Sequence, residues 1–138
     1  MSKKPLQVIT AILGVIPVIT GMISMLGIND PLYASEALPR SPILDSNLRF
    51  FGGQWAGLGL VMLWLVPSIE RRTALFRTLW GAIFLGGIGR LLSMAAVGAP
   101  PAPFIGFTAL EIVGAPLFIY WHHRVVAGSS AQARNRSV

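Results

Sequence analysis

Arg90 and Glu111 are the residues best placed to do chemistry in this chain, because each interrupts an apolar run that is otherwise uncharged. An ionisable side chain inside a lipid-spanning segment is costly, so such groups are usually paired and often mark a functional site. The Arg90 guanidinium offers a planar donor fork that suits a carboxylate or a phosphate. Glu111 offers an acid or base, although a positive neighbour lowers its pKa and weakens it as a base. Gln54, Arg49 and Asp45 add polar groups to a third segment, with Asp45 one helical turn before Arg49. His122-His123 is the other tempting pair, but adjacent helical residues point about 100° apart and make a poor metal site; both histidines are expected at the membrane interface. The absence of cysteine excludes thiolate ligands and disulfides. With no Ser/His/Asp set, His-Glu-x-x-His motif or phosphate loop, neither a metal nor a cofactor is expected, and an enzymatic role is disfavoured.

The elements that position these residues follow from composition. Of 138 residues, 54% are hydrophobic and only 12% charged, with a mean hydropathy of +0.67, too little charge for the surface of a soluble domain. Four segments, about 6–28, 48–69, 75–98 and 104–123, approach the roughly 20 apolar residues that cross a bilayer as helix. They predict an all-α integral membrane four-helix bundle, antiparallel with up-down connectivity, forming a single membrane domain over 1–127. Residues 128–138 are expected to be a disordered cytoplasmic tail. Lys3 and Lys4 would suit a signal peptide, but the apolar stretch after them is too long and no small-x-small site follows, so the first segment is expected to stay as a helix.

The formal charge of +6 does not point to nucleic acid, because the basic residues flank the apolar runs. Lys3 and Lys4, then Arg71, Arg72 and Arg77, then Arg124, Arg134 and Arg136 all fall on one side of a four-helix topology. The 29–47 connection on the other side carries Asp30, Glu36, Arg40 and Asp45, and the 98–103 turn carries no charge. By the positive-inside bias both termini are cytoplasmic, in a bacterial inner membrane, with Trp80 and Trp121 near the cytoplasmic boundary. The 29–47 connection either folds back over the outer helix ends or stays an exposed loop.

In this topology Arg90 and Glu111 sit roughly 10 Å below the outer boundary, at about 1.5 Å of rise per residue. Gln54 falls in the same layer, Arg49 and Asp45 slightly above it, and Thr20, Ser24, Ser93 and Thr108 within reach. One reading is a binding site in the outer half of the bundle. The other is a clasp, in which Arg90 and Glu111 satisfy each other and the remaining groups complete their hydrogen bonds. Small residues at helical spacing, Gly52, Gly53, Ala56 and Gly57 in one segment and Ala82, Gly86 and Gly89 in the next, offer faces for close helix packing. Pro17 and Pro116 each remove one helical hydrogen bond.

The run Asp45-x-x-x-Arg49-Phe50-Phe51-Gly52-Gly53, followed by Gly89-Arg90-Leu91-x-Ser93, Gly98-x-Pro100 and Leu110-Glu111, resembles the bacterial family designated domain of unknown function 4345. The resemblance covers about Asp45 to Trp121, and the first segment matches only in character. It implies a small protein with four membrane helices in which Asp45, Arg49, Arg90 and Glu111 form the characteristic polar set. It implies no particular activity.

Three functions stay open. The first is a non-enzymatic membrane protein binding a lipid-like or small anionic ligand beside Arg90. The second is an accessory subunit packing through its glycine faces against a larger membrane protein or against copies of itself. The third is a lipid- or isoprenoid-modifying enzyme using Glu111.

Overall fold

The computed structural model describes residues 3–136, with side chains from Lys3 to Ser129. In chain order the elements are α1 (Lys3–Ser24), short 3-10 turns at Gly27–Asn29 and Pro31–Tyr33, α2 (Pro42–Leu65), a 3-10 turn at Val66–Ser68, α3 (Thr73–Val97), α4 (Ala102–Ala109), a π-helical turn (Leu110–Gly114) and α5 (Ala115–Arg136). Among the described residues the fold is all-α. Four spans, Lys3–Ser24, Pro42–Ser68, Thr73–Val97 and Ala102–Ser129, are long and apolar enough to cross a membrane.

Several boundaries differ from those read in the sequence, each for a local reason. α1 stops at Ser24 rather than near residue 28, and Gly27 just beyond it adopts φ +66°, a left-handed conformation that favours glycine. α2 begins at Pro42, not near residue 48: the Ser41 hydroxyl accepts the Leu44 N–H, Pro42 needs no N–H partner in the first turn, and Asp45 complements the helix N-terminus. At the other end, α5 continues to Arg136, through most of the tail expected over 128–138. Gly128 does not stop it, and the run Ala131-Gln132-Ala133-Arg134 beyond it consists of good helix formers. Residues 137–138 of that tail lie outside the described residues.

The chain divides into two compact units, one over Gln7–Pro67 and the other formed by the residues on either side of it. In the first, α1 and α2 meet backbone to backbone. A Cβ added at Gly21 would lie 2.5 Å from the Ala56 nitrogen and 2.6 Å from the Gly52 oxygen, and one at Gly59 would lie 2.7 Å from the Gly14 oxygen. Contacts pair Gly14 with Gly59 and Leu63, and Gly21 with Gly52 and Ala56, so they run in opposite order along the two helices. The packed stripe of α2 is therefore Gly52, Ala56 and Gly59; Gly53 and Gly57, expected on it, have nothing within 4 Å of an added Cβ. The Trp55 indole donates to the Thr20 hydroxyl at 2.9 Å, and that hydroxyl donates to the Ile16 carbonyl at 2.8 Å.

In the second unit, α3 packs against the segment from α4 through α5. Phe76 stacks on His122 with ring centroids 4.2 Å apart, Trp80 stacks on Phe118 at 4.3 Å, and Gly87 faces Glu111. Among the buried or stacked positions of α3, which also include Leu79, are 76, 80, 83 and 87, and among those of its partner are 111, 115, 118 and 122. Both sets alternate steps of four and three, the spacing of a helix–helix seam. Trp80, only 2% exposed, lies on the seam, and His122 is fully buried beside Phe76. The His122 Nε2 lies 2.7 Å from the Ile69 carbonyl oxygen, so that nitrogen carries the donating proton. Glu70, between the second and third spans, accepts the Ser129 hydroxyl at 2.6 Å and a hydrogen bond from Lys3 Nζ at 3.0 Å, both at span ends. The Ser129 hydrogen bond, then that from Lys3, holds the Glu70 carboxyl below the usual glutamate range.

Candidate functional site

Glu111 stands in the π-helical turn that precedes Pro116. Proline has no N–H to give and its ring crowds the carbonyl one turn back, so a widened turn ahead of it relieves both problems. Across the seam Gly87 leaves space for the acid, since a Cβ there would lie 2.8 Å from the Glu111 Cβ. Glu111 is buried, with 7% exposure. Arg90, three residues beyond Gly87 on α3, brings its Nε to 2.9 Å from Glu111 Oε2 and 3.2 Å from Oε1. The N–H direction favours Oε1, so the closer oxygen is an ion-pair neighbour without an aligned donor. The Arg90 side chain is 38% exposed, and its Cζ lies 5.8 Å from the centre of the Phe104 ring. Only Nε is engaged. The terminal Nη1 and Nη2 have no hydrogen bond to a described residue. Thr108, buried beside this pair in sequence, spends its hydroxyl on the Phe104 carbonyl at 2.9 Å.

Asp45 and Arg49 form a different pair. Arg49 Nε donates to Asp45 Oδ2 at 2.7 Å, its Nη2 donates to Oδ1 at 3.3 Å, and its Nη1 donates to the Met25 carbonyl at 2.8 Å. Asp45 Oδ1 also accepts the Ile28 N–H at 3.0 Å. The two side chains thus pin the start of α2 to the turn after α1. Gln54 joins neither pair: it is exposed and has no side-chain hydrogen bond to a described residue. It lies two residues from Gly52, about 200° around the helix and so away from the packed stripe.

Asp30 was not singled out in the sequence, yet it is 2% exposed and organises the same turn. Its Oδ2 accepts the Ser24 hydroxyl at 2.8 Å and its Oδ1 accepts the Leu32 N–H at 2.8 Å. The readable signal was Asp30-Pro31, an N-cap residue before a proline in the first helical position. Among the described residues no three His, Asp or Glu side chains converge as metal ligands would.

Residues 5–122 match the family described as "Domain of unknown function (DUF4345)", and the chain belongs to that family. Searches of curated proteins and of solved structures found no match.

Proposed function

We propose that this member of the family is a bacterial inner-membrane protein, an antiparallel up-down four-helix bundle with cytoplasmic termini, that binds a lipid-like or small anionic ligand at Arg90. One observation carries the ligand reading: Glu111 holds Arg90 through Nε alone, and the terminal N–H groups have no partner among the described residues. A buried acid that orients a guanidinium while leaving its outer fork open makes a receptor for a carboxylate or phosphate. The membrane reading is supported by the four apolar spans, and the orientation by the one-sided distribution of Lys and Arg.

Gentle extraction followed by native mass spectrometry tests the ligand. The wild type is expected to carry an anionic adduct that Arg90→Gln loses and Arg90→Lys retains only weakly. An adduct equally abundant in all three proteins would end this reading. Reporter fusions at Ser35 and Gly128 should report opposite sides of the membrane, and matching signals would sink the topology.

A second reading, an accessory subunit or a homo-oligomer, is favoured by the open small-residue face at Gly53 and Gly57. Its mark is a stoichiometric membrane-protein partner, or a second copy of the chain, in the same spectra.

A further inference from the structure

A second site lies on the same helix pair, about 20 Å along α3 from Arg90 by the rise of 13 residues. Every seam residue has a neighbour one position later that points to one flank. On α3 these neighbours include Arg77, Gly81 and Phe84; on α5 they include Pro116, Ile119 and His123. Because the two helices contact each other in opposite order, both sets turn to the same side. There they line an open groove of about 460 Å³, within the size range of small-molecule sites.

The groove has a polarity. Its inner part is walled by Phe84, Pro116 and Ile119 over Gly81, and exposed Leu85 and Leu117 adjoin it in sequence. Its mouth holds Arg77 and His123, both exposed. Arg77 makes no ion pair or hydrogen bond with a described residue. Beside the mouth, Arg124 Nη1 donates to the Tyr120 hydroxyl at 2.9 Å, which places a second cation at the same level.

We infer that this groove is a binding site for an anionic phospholipid, whose acyl chain lies along Gly81, Phe84 and Pro116 and whose phosphate meets Arg77 and His123. Apolar walls that open sideways fit a chain already in the bilayer, and unpaired positive charge at the mouth fits an anionic headgroup. The inference rests on residence in a membrane but not on any ligand at Arg90.

The test is native mass spectrometry of the full chain in micelles containing equal amounts of dioleoyl phosphatidylglycerol and dioleoyl phosphatidylcholine. The unaltered groove should retain the glycerol lipid over the choline lipid by about fivefold, the effect of roughly one well-placed cation near the surface. Arg77→Gln should bring the ratio close to unity, whereas Arg71→Gln, outside the groove, should leave it unchanged. Gly81→Leu should fold, because an added Cβ there meets nothing within 4 Å, and should lose both lipids by filling the floor. All these ratios, that of the unaltered groove included, are read in an Arg90→Gln background, which removes the anion site proposed above, so that they report this groove alone. No preference in the unaltered groove, or equal effects of Arg71→Gln and Arg77→Gln, would overturn the inference. Should Gly81→Leu fail to fold, the comparison of the two arginine variants decides alone.

Discussion

The molecule contains two arginine–carboxylate pairs that look alike in sequence and differ in how fully they are satisfied. Asp45 and Arg49 are one turn apart on a single helix, and their donors and acceptors are nearly all spent. The guanidinium reaches both carboxylate oxygens and the Met25 carbonyl, while the carboxylate also takes the Ile28 N–H. Arg90 and Glu111 come from different elements, and their pairing is incomplete. One carboxylate oxygen lacks an aligned donor, and the outer guanidinium nitrogens have no partner among the described residues. Saturation is the mark of a fastening. On the ligand reading proposed above, an open fork on a buried anchor leaves room for an anion, and the degree of saturation, together with burial, distinguishes the two pairs where residue type does not.

The comparison breaks most sharply at the anchor. Arg90→Leu leaves the buried Glu111 carboxylate without a partner, and should lower stability by about 3 kcal/mol, at the lower end for a broken buried pair because the acid can take up a proton. Arg90→Leu with Glu111→Leu should recover much of that loss without restoring any anionic adduct. A double-mutant cycle followed by denaturation in detergent measures the first quantity, and native mass spectrometry the second. Strictly additive losses would contradict direct coupling.

A smaller effect is expected at the fastening. Gly27 is left-handed, and an added Cβ would collide with the Asp45 carboxylate, so Gly27→Ala should cost about 2 kcal/mol. Asp45→Asn should be milder, because the pair is exposed and charge screening weakens it. Neither variant should change what is retained at Arg90. Loss of the adduct in Asp45→Asn would erase the distinction between the pairs.

The smallest effect tests a third carboxylate, Glu70, which is held by Ser129 and Lys3. Its pKa is depressed by folding, so its contribution is complete above the ordinary glutamate value of 4.5 and fades as pH falls through the lower folded value. Protection from hydrogen exchange at the helical turn around Ser129, taken relative to the intrinsic rate at each pH, should therefore fall at acid pH in the wild type. In Glu70→Gln that protection should be lower already at neutral pH and show less pH dependence.

Much of the helical content was legible in the sequence because uninterrupted apolar runs leave few alternatives. The approach of Arg90 to Glu111 was legible too, from two charges placed symmetrically about a short turn. The helix ends were less so, since they depend on one-residue events: Ser41 capping α2 and Gly27 turning left-handed. Packing faces were the hardest. Gly52 and Gly53 are the same residue type one position apart, and only the partner helix decides which of them is covered. The π-helical turn was hidden for a related reason, because Pro116 announces a disturbed ladder but not how the preceding carbonyls are accommodated.

The seam between α3 and the segment from the π-helical turn into α5 has a mechanical consequence. Stacked Phe76/His122 and Trp80/Phe118 and the approach of Gly87 to Glu111 define one alignment, and Arg90 continues the same spacing one step further. Sliding either helix by one turn, about 5.4 Å, would unstack both ring pairs and carry the arginine past its acid. The charged pair therefore works as a detent. It resists piston-like displacement of one helix along the other, while rotation and splaying at the open flank are opposed only by softer apolar contacts.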